Sequence, residues 1–297
     1  MSYLKNYLSK IVLRGNEKLA ESIYKTSEDI GKNYISTFSF ISHEIGLLFG
    51  NVQSGKTGQI FGVICKAADL GFPVFLMLTT DNVVLQTQTL ERVKSDLEGF
   101  CICGEDDSEI FIENSLVQPV IVVLKKNSRV LRKWANIFNT TGFMKGNPLF
   151  IIDDEADAAS LNTFINRKGS QKSSINKYLD SIKSRSSSSL YLQVTGTPQA
   201  LLLQTIASGW HPYFTYYFQP GSTYLGGDFF FPTSKTPSCI TFLETVKEAE
   251  RETVIHHITV SAQILAAGGK VCNCLIHPSV RQAAHRKFAK EVEEVLS

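Results

Sequence analysis

The chain lacks a hydrophobic run of membrane-spanning length, a charge balance of one sign and a cysteine spacing suited to structural zinc. No stretch reaches the ~18 apolar residues of a transmembrane helix. The amino terminus, MSYLKNYLSKIVLRGNEKL, has no apolar core followed by a small-residue cleavage site. With 30 Lys and Arg against 28 Asp and Glu, the net charge is +2, too mild to demand a nucleic-acid partner, though a local basic face remains open. Cys65, Cys101, Cys103, Cys239, Cys272 and Cys274 include two C-x-C pairs and no C-x-x-C. They read as reduced thiols of a cytoplasmic protein. His256 and His257 are adjacent, His277 and His285 are too far apart for one helical turn, and no H-x-x-x-H occurs. The histidines therefore read as core or surface residues, not metal ligands.

What is present is a chain of 297 residues, 43% hydrophobic, enough for a sizeable core in one large domain or two ordinary ones. Leu4, Tyr7, Leu8, Ile11 and Val12, then Leu19, Ile23 and Ile30, recur at helical spacing and predict a helical segment over residues 1–40. Five short apolar runs follow: IGLLFG (45–50), PVFLML (73–78), PVIVVL (119–124), PLFIID (148–153) and LYLQVTG (190–196). Amphipathic stretches lie between the first four. Runs without polar alternation suit strands buried on both faces, and the helices between them supply the crossovers. The expected fold is α/β, a parallel sheet flanked by helices over 41–210. A serine-rich patch at 169–189 holds a short helix around Ile175 to Ile182 and a loop. An aromatic-rich connector with a helix is expected over 211–269, and a strand-helix unit over 270–297.

GNVQSGKT (50–57) fits G-x-x-x-x-G-K-[ST] at every fixed position, after an expected strand and at the start of an expected helix. Its glycines allow backbone N–H groups to turn inward and, with the helix amino terminus, to cradle phosphate oxygens. Gly50, Gln53, Ser54, Gly55, Lys56 and Thr57 are the expected nucleotide contacts, with Lys56 adding charge at the β- and γ-phosphates and Thr57 a hydroxyl for Mg²⁺. LFIIDDEADAAS (149–160) places carboxylates at the end of a buried strand. Asp154 is the expected Mg²⁺ ligand and Glu155 the base for attacking water. Asp153 competes for the metal role but should point to the opposite side of the strand. Together the two motifs point to a nucleoside triphosphatase using ATP and Mg²⁺.

These residues also resemble known families. Asp154-Glu155-Ala156-Asp157 spells the D-E-A-D form of the Walker B motif of superfamily-two helicases, and Thr195-Gly196-Thr197-Pro198 resembles their following T-A-T-P motif. LTTDNVVLQTQTL (78–90) is similar to their motif Ia. VQSGKT, VVLKKN, DDEAD, TGTPQA, YLGGDFF and CLIHPS together resemble proteins carrying the Z-one domain, an endonuclease-type family fused to a helicase-like ATPase core and frequent in bacterial restriction or phage-defence loci. The resemblance covers roughly residues 45–297. It implies a RecA-like P-loop lobe, coupling of nucleotide to bound strand through Thr195, Gly196 and Thr197, and DNA as partner, with RNA and a partner protein of the same locus as further candidates. Glycine at 196 departs from the usual alanine and is expected to loosen the backbone.

The stretch VCNCLIHPSVRQAAHRKF resembles the first strand and helix of a second RecA-like lobe, whose remainder is not recognised. The resemblance therefore implies that this chain binds nucleotide better than it hydrolyses it, because the arginine finger of a second lobe is missing. A nuclease needs clustered carboxylates, and none assembles outside the ATPase motifs; Asp228 in YLGGDFFF reads as a turn residue. Lys125, Lys126, Arg129, Arg132 and Lys133 follow the 119–124 strand, where a parallel sheet presents functional loops, and are the expected phosphate-backbone contacts. Arg167, Lys168, Lys172, Lys177, Lys183 and Arg185 form a second basic stretch. The aromatics of 210–231 suit a core or, alternatively, base stacking. A rival reading is a nucleotide-sensing, protein-binding module with little hydrolysis and no translocation.

Overall fold

The computed structural model describes residues 2–115, 117–141, 146–159, 174–203, 209–221, 224–230, 232, 246–277 and 282–296. The chain divides into two compact units, Met1–Gly226 and Gly227–Ser297. In chain order the first unit holds α1 (Tyr3–Leu13), α2 (Glu17–Ile30, continued by a wider π-helical turn over Gly31–Ile35), β1 (His43–Phe49), α3 (Lys56–Asp69), β2 (Val74–Thr79), α4 (Val83–Asp96), β3 (Cys101–Cys103) and α5 (Ser108–Asn114). There follow β4 (Val120–Lys125), α6 (Ser128–Thr140), β5 (Pro148–Asp154), α7 (Ala156–Ala159), α8 (Ser174–Arg185), β6 (Ser188–Thr195), α9 (Gln199–Leu202) and β7 (Phe214–Tyr217). The second unit holds α10 (Gly227–Phe230), α11 (Val246–Ala266) and α12 (Gln282–Leu296).

The seven strands form one sheet in the order β3-β4-β2-β5-β6-β1-β7, and every pairing is parallel. Side chains of a strand alternate between faces, and here both faces are apolar. Phe75 and Met77 of β2 join a core built with α1, α2, α3 and α4. Val74, Leu76 and Leu78 join another, built with α5, α6 and α8. This is the parallel α/β architecture expected from the five apolar runs, which became β1, β2, β4, β5 and β6. β3 and β7 add an edge strand on each side, so the sheet runs past residue 210.

Helix starts follow local chemistry. Asn82 accepts hydrogen bonds from the Val84 and Leu85 amides at 2.9 and 3.2 Å, capping α4, and Asn127 caps α6 through the Arg129 amide at 3.0 Å. α1 lays Leu4, Tyr7 and Ile11 into the core, each contributing about 1.5–3 kcal/mol of burial. Its amino terminus is held by Asp69 of α3, which accepts from the amides of Tyr3 and Leu4 at 2.8 and 3.2 Å. The expected entry segment is thus helical, with α1 and α2 packed against α3 and against each other.

In the second unit α11 packs against α12. The strand expected over residues 270–277 is not formed. Val271 and Leu275 are exposed, and among the described residues of that unit there is no strand to pair with, so the apolar side chains there have neither ladder nor core.

Candidate active site

Register gathers the motifs. Phe49, the last residue of β1, pairs with Thr195, the last of β6; on the other side of β6, Val194 pairs with Asp154, the last of β5. Three adjacent strands therefore end level, and the glycine-rich loop, the acidic cluster and the Thr195–Thr197 turn emerge side by side at the carboxyl edge, where parallel sheets place ligands. β6 intervenes between the glycine-rich strand and the acidic strand.

The loop between β1 and α3 turns on two left-handed residues, Gln53 (φ 57°) and Gly55 (φ 90°). Glycine takes that conformation without penalty, whereas a glutamine there carries strain of order 1 kcal/mol. Ser54 stabilises the turn by donating its amide and hydroxyl to the Asn51 carbonyl at 3.2 and 2.5 Å. α3 begins at Lys56 with no side-chain cap at Gly55, and the Gly58 and Gln59 amides bond to the Gly55 carbonyl at 3.0 and 3.3 Å; the amides before them have no carbonyl a turn earlier within the helix. Two tyrosines of the 210–231 stretch pin the loop from outside: Tyr224 donates to the Val52 carbonyl at 2.6 Å and Tyr217 to Asn51 Oδ1 at 3.3 Å. Of the aromatics in that stretch, Trp210, Phe214 and Phe218 are buried as a core reading expects, whereas Tyr213, Tyr217, Phe229 and Phe230 are exposed.

Lys56, Thr57, Asp154 and Glu155 border one cavity of about 450 Å³. Lys56 Nζ lies 3.9 Å from Glu155 Oε1. Burial and the neighbouring Glu155 charge push the Asp154 carboxyl up to about 6. Glu155 itself is left-handed, at φ 52°, and its side chain is half exposed.

That backbone is held by Lys126. Its ammonium is fully buried and donates to the carbonyls of Asp154 and Glu155 at 2.8 and 2.7 Å. It meets the equally buried Asp153 Oδ1 at 3.0 Å, off the hydrogen-bond axis. Tyr191 donates to Asp153 Oδ2 at 2.7 Å. Asp153 is thereby engaged in the core and is no rival for the metal, in keeping with its expected opposite orientation. Lys126 is likewise a correction: read from the sequence as a nucleic-acid contact, it is sealed beneath the acidic turn, where its charge has a partner and no route to solvent.

The Thr195–Thr197 turn is tied to the acidic motif by Asp157, a residue absent from the expected site. Its carboxylate accepts from the hydroxyls of Thr195 and Thr197, each at 2.6 Å, and the Thr197 amide donates back to Thr195 Oγ1 at 2.9 Å. Burial raises the Asp157 pKa, but the two hydroxyl donors, together with a backbone hydrogen bond and the Lys126 charge, hold it below the usual range. Gly196 also sits close to Lys56. A Cβ at this position would stand 3.1 Å from Lys56 Nζ and 3.3 Å from Val52 Cγ2, so its absence leaves room for the lysine.

The basic residues after β4 are of mixed availability. Lys125 faces Glu105 at 3.6 Å and Lys133 faces Asp106 at 2.9 Å, while Arg129 and Arg132 are exposed. In the second basic stretch, Lys183 lies 4.7 Å above the Trp210 ring, Lys177 and Arg185 are exposed, and Arg167, Lys168 and Lys172 fall outside the described residues.

The fold and the site together define a P-loop α/β domain. The sequence matches no protein-family model and no curated protein. Among solved structures it is similar to the Pyrococcus furiosus Hef helicase domain, at 14% identity over 91% of this chain and 52% of that one, with a TM-score of 0.41. It is also similar to Mss116p bound to ssRNA and AMP-PNP, at 14% identity over 88% and 53% with a TM-score of 0.45. A third is the Sulfolobus solfataricus SWI2/SNF2 ATPase core in complex with dsDNA, at 12% over 93% and 57% with a TM-score of 0.40. The chain thus spans little more than half the length of these structures. At such distances no function transfers.

Proposed function

We propose that the first unit is a nucleic-acid-responsive ATPase module of the helicase-like kind. The observation that carries this is the level ending of β1, β6 and β5, which puts a lysine, a hydroxyl and two carboxylates around one cavity at the uncapped amino terminus of α3. The amides of the Gly55 turn and Lys56 would hold the phosphates. Glu155, half exposed and steered by a fixed backbone, would accept the proton of the attacking water.

The donors also fit Mg²⁺. Thr57 and Asp154 offer hard oxygens to the same cavity. The protein would then supply only part of the shell, as is usual for magnesium held with phosphate and water. Bound Mg²⁺ would neutralise charge developing on the phosphates.

Asp157 links this chemistry to the Thr195–Thr197 turn, the element through which a bound strand would be coupled. Arg129 and Arg132 are the side chains we assign to nucleic-acid phosphates, in preference to the paired Lys125 and Lys133, with DNA as the first partner to test. The ordered motifs from VQSGKT to CLIHPS support a Z-one type protein of a restriction or defence locus, on motif spelling alone. Titration calorimetry with Mg-ATP, and phosphate release with and without DNA, test the reading. Micromolar-range binding abolished by Lys56→Ala, and turnover stimulated by DNA, are expected. No binding at all would sink it, and turnover indifferent to DNA would favour the nucleotide-sensing module. Cleavage of DNA by the Lys56→Ala protein would instead reveal a separate nuclease centre.

A further inference from the structure

The far wall of the nucleotide cavity comes from helices that no phosphate motif includes. Arg14 and Leu19 of the amino-terminal layer and Arg92 and Asp96 of α4 border the same 450 Å³ space as Lys56 and Glu155. This wall is braced. Lys10 pairs with Glu98 at 2.6 Å and Arg14 with Asp96 at 2.8 Å, fastening α1 to α4 and the residues after it. Tyr7 reaches the Gly58 carbonyl in the first turn of α3 at 3.5 Å.

The charges around the cavity do not pair off evenly. Asp96 is engaged by Arg14, and Glu155 faces Lys56. Asp154 is the carboxylate assigned to the metal. Arg92 is exposed, borders the cavity and makes no ion pair within 4.0 Å among the described residues. Its charge, with that of Arg14, is felt at the Tyr7 phenol, where it opposes the rise that burial imposes. A guanidinium without an acidic partner, beside a loop built for phosphate, is suited to phosphate oxygens, which its planar fork can engage in pairs.

We propose that Arg92 binds the polyphosphate of the nucleotide held by Lys56, so that this unit supplies a second phosphate-binding cation from its own α4. The inference rests on the P-loop reading above. It also alters the expectation that such charge must come from a second lobe. Arg14, kept in place by Asp96, forms the rim beside it.

The test is competition binding against a fluorescent ATP analogue, with ATP and with inorganic tripolyphosphate, on the full chain and its Arg92→Ala, Arg92→Lys and Lys56→Ala variants. Arg92 is exposed, so its replacement leaves the fold intact, which circular dichroism checks. Arg92→Ala should weaken ATP and tripolyphosphate alike, by roughly 10- to 100-fold for a lost charge-assisted contact, and Arg92→Lys should recover part of the loss. Unchanged affinity for both ligands overturns the proposal. So does a loss confined to ATP, which would place Arg92 at the nucleoside. If Lys56→Ala abolishes binding while Arg92→Ala is silent, the P-loop reading stands and this one falls. A full chain that binds neither ligand removes both.

Discussion

Lys126 offers the sharpest test of how the acidic turn is built. Lys126→Met keeps the length and removes the charge. It leaves Asp153 buried with only the Tyr191 hydroxyl for company, and leaves the Asp154 and Glu155 carbonyls without their donor. Breaking a fully buried pair by removing one partner costs about 3–5 kcal/mol, a large share of the ~5–15 kcal/mol that holds a domain together. Lys126→Met should therefore lower the urea midpoint strongly, read by the fluorescence of the buried Trp134 and Trp210. Replacing both partners, as Lys126→Met with Asp153→Leu, removes the stranded charge and should regain most of that stability, because well-packed apolar groups often substitute for a buried pair at little cost. The two carbonyls would still lack their donor. The double variant should bind ATP but turn it over at least about tenfold more slowly, a loss of roughly 1.4 kcal/mol at the transition state. Parent-like turnover in a stably folded double variant would refute the idea that Lys126 holds Glu155. A single variant destabilised by less than about 1 kcal/mol would refute the energetic part.

Two further outcomes follow from the geometry. Gly196→Ala restores the residue usual in the helicase motif, yet its methyl would press on Lys56 Nζ and Val52. ATP affinity measured by calorimetry should fall by about three- to tenfold, up to roughly 1.4 kcal/mol, and unchanged or tighter binding would contradict the crowding. In metal-free buffer the Asp154 carboxyl is pushed up to about 6 by burial and by Glu155. Its folded pKa lies above the unfolded value of about 3.9, so its contribution to stability is fully present below pH ~4 and is lost as pH rises through about 6. Asp154→Asn should thus flatten the thermal-stability profile between these pH values, and superimposable profiles for variant and parent in chelator would dismiss the shift.

The five long strands were legible because strands covered on both faces read as unbroken apolar runs. β3 and β7 were not. Cys101–Cys103 is three residues long, and Phe214–Tyr217 carries two threonine or tyrosine side chains that face out; each is an edge strand with a single neighbour and needs no such run. Residues 270–277 failed in the opposite way: VCNCLI has strand composition, but a strand also requires a ladder partner.

The site divides along the same line. Local spelling was enough to place a glycine-rich turn at a helix start and carboxylates at a strand end, since both are features of contiguous residues; that Lys56, Asp154 and Glu155 share one cavity came from the register. Lys126 could not be told from its basic neighbours, because its partners sit on β5, across β2. Nor could Asp157, whose partners belong to the turn after β6, or Arg92, which reaches the cavity beside Lys56 only because α4, packed on β2 and β4, is tied by Asp96 to Arg14 at the end of α1.

By itself, then, the sequence determined that this is a parallel α/β chain with a phosphate loop and an acidic strand end, because periodicity and turn chemistry are written in neighbouring residues. Only the tertiary structure decided which charges serve the cavity and which are sealed in the core. Whether an ammonium is a surface contact or a buried clamp depends on strand order and register, and these bring together groups that are far apart in the chain.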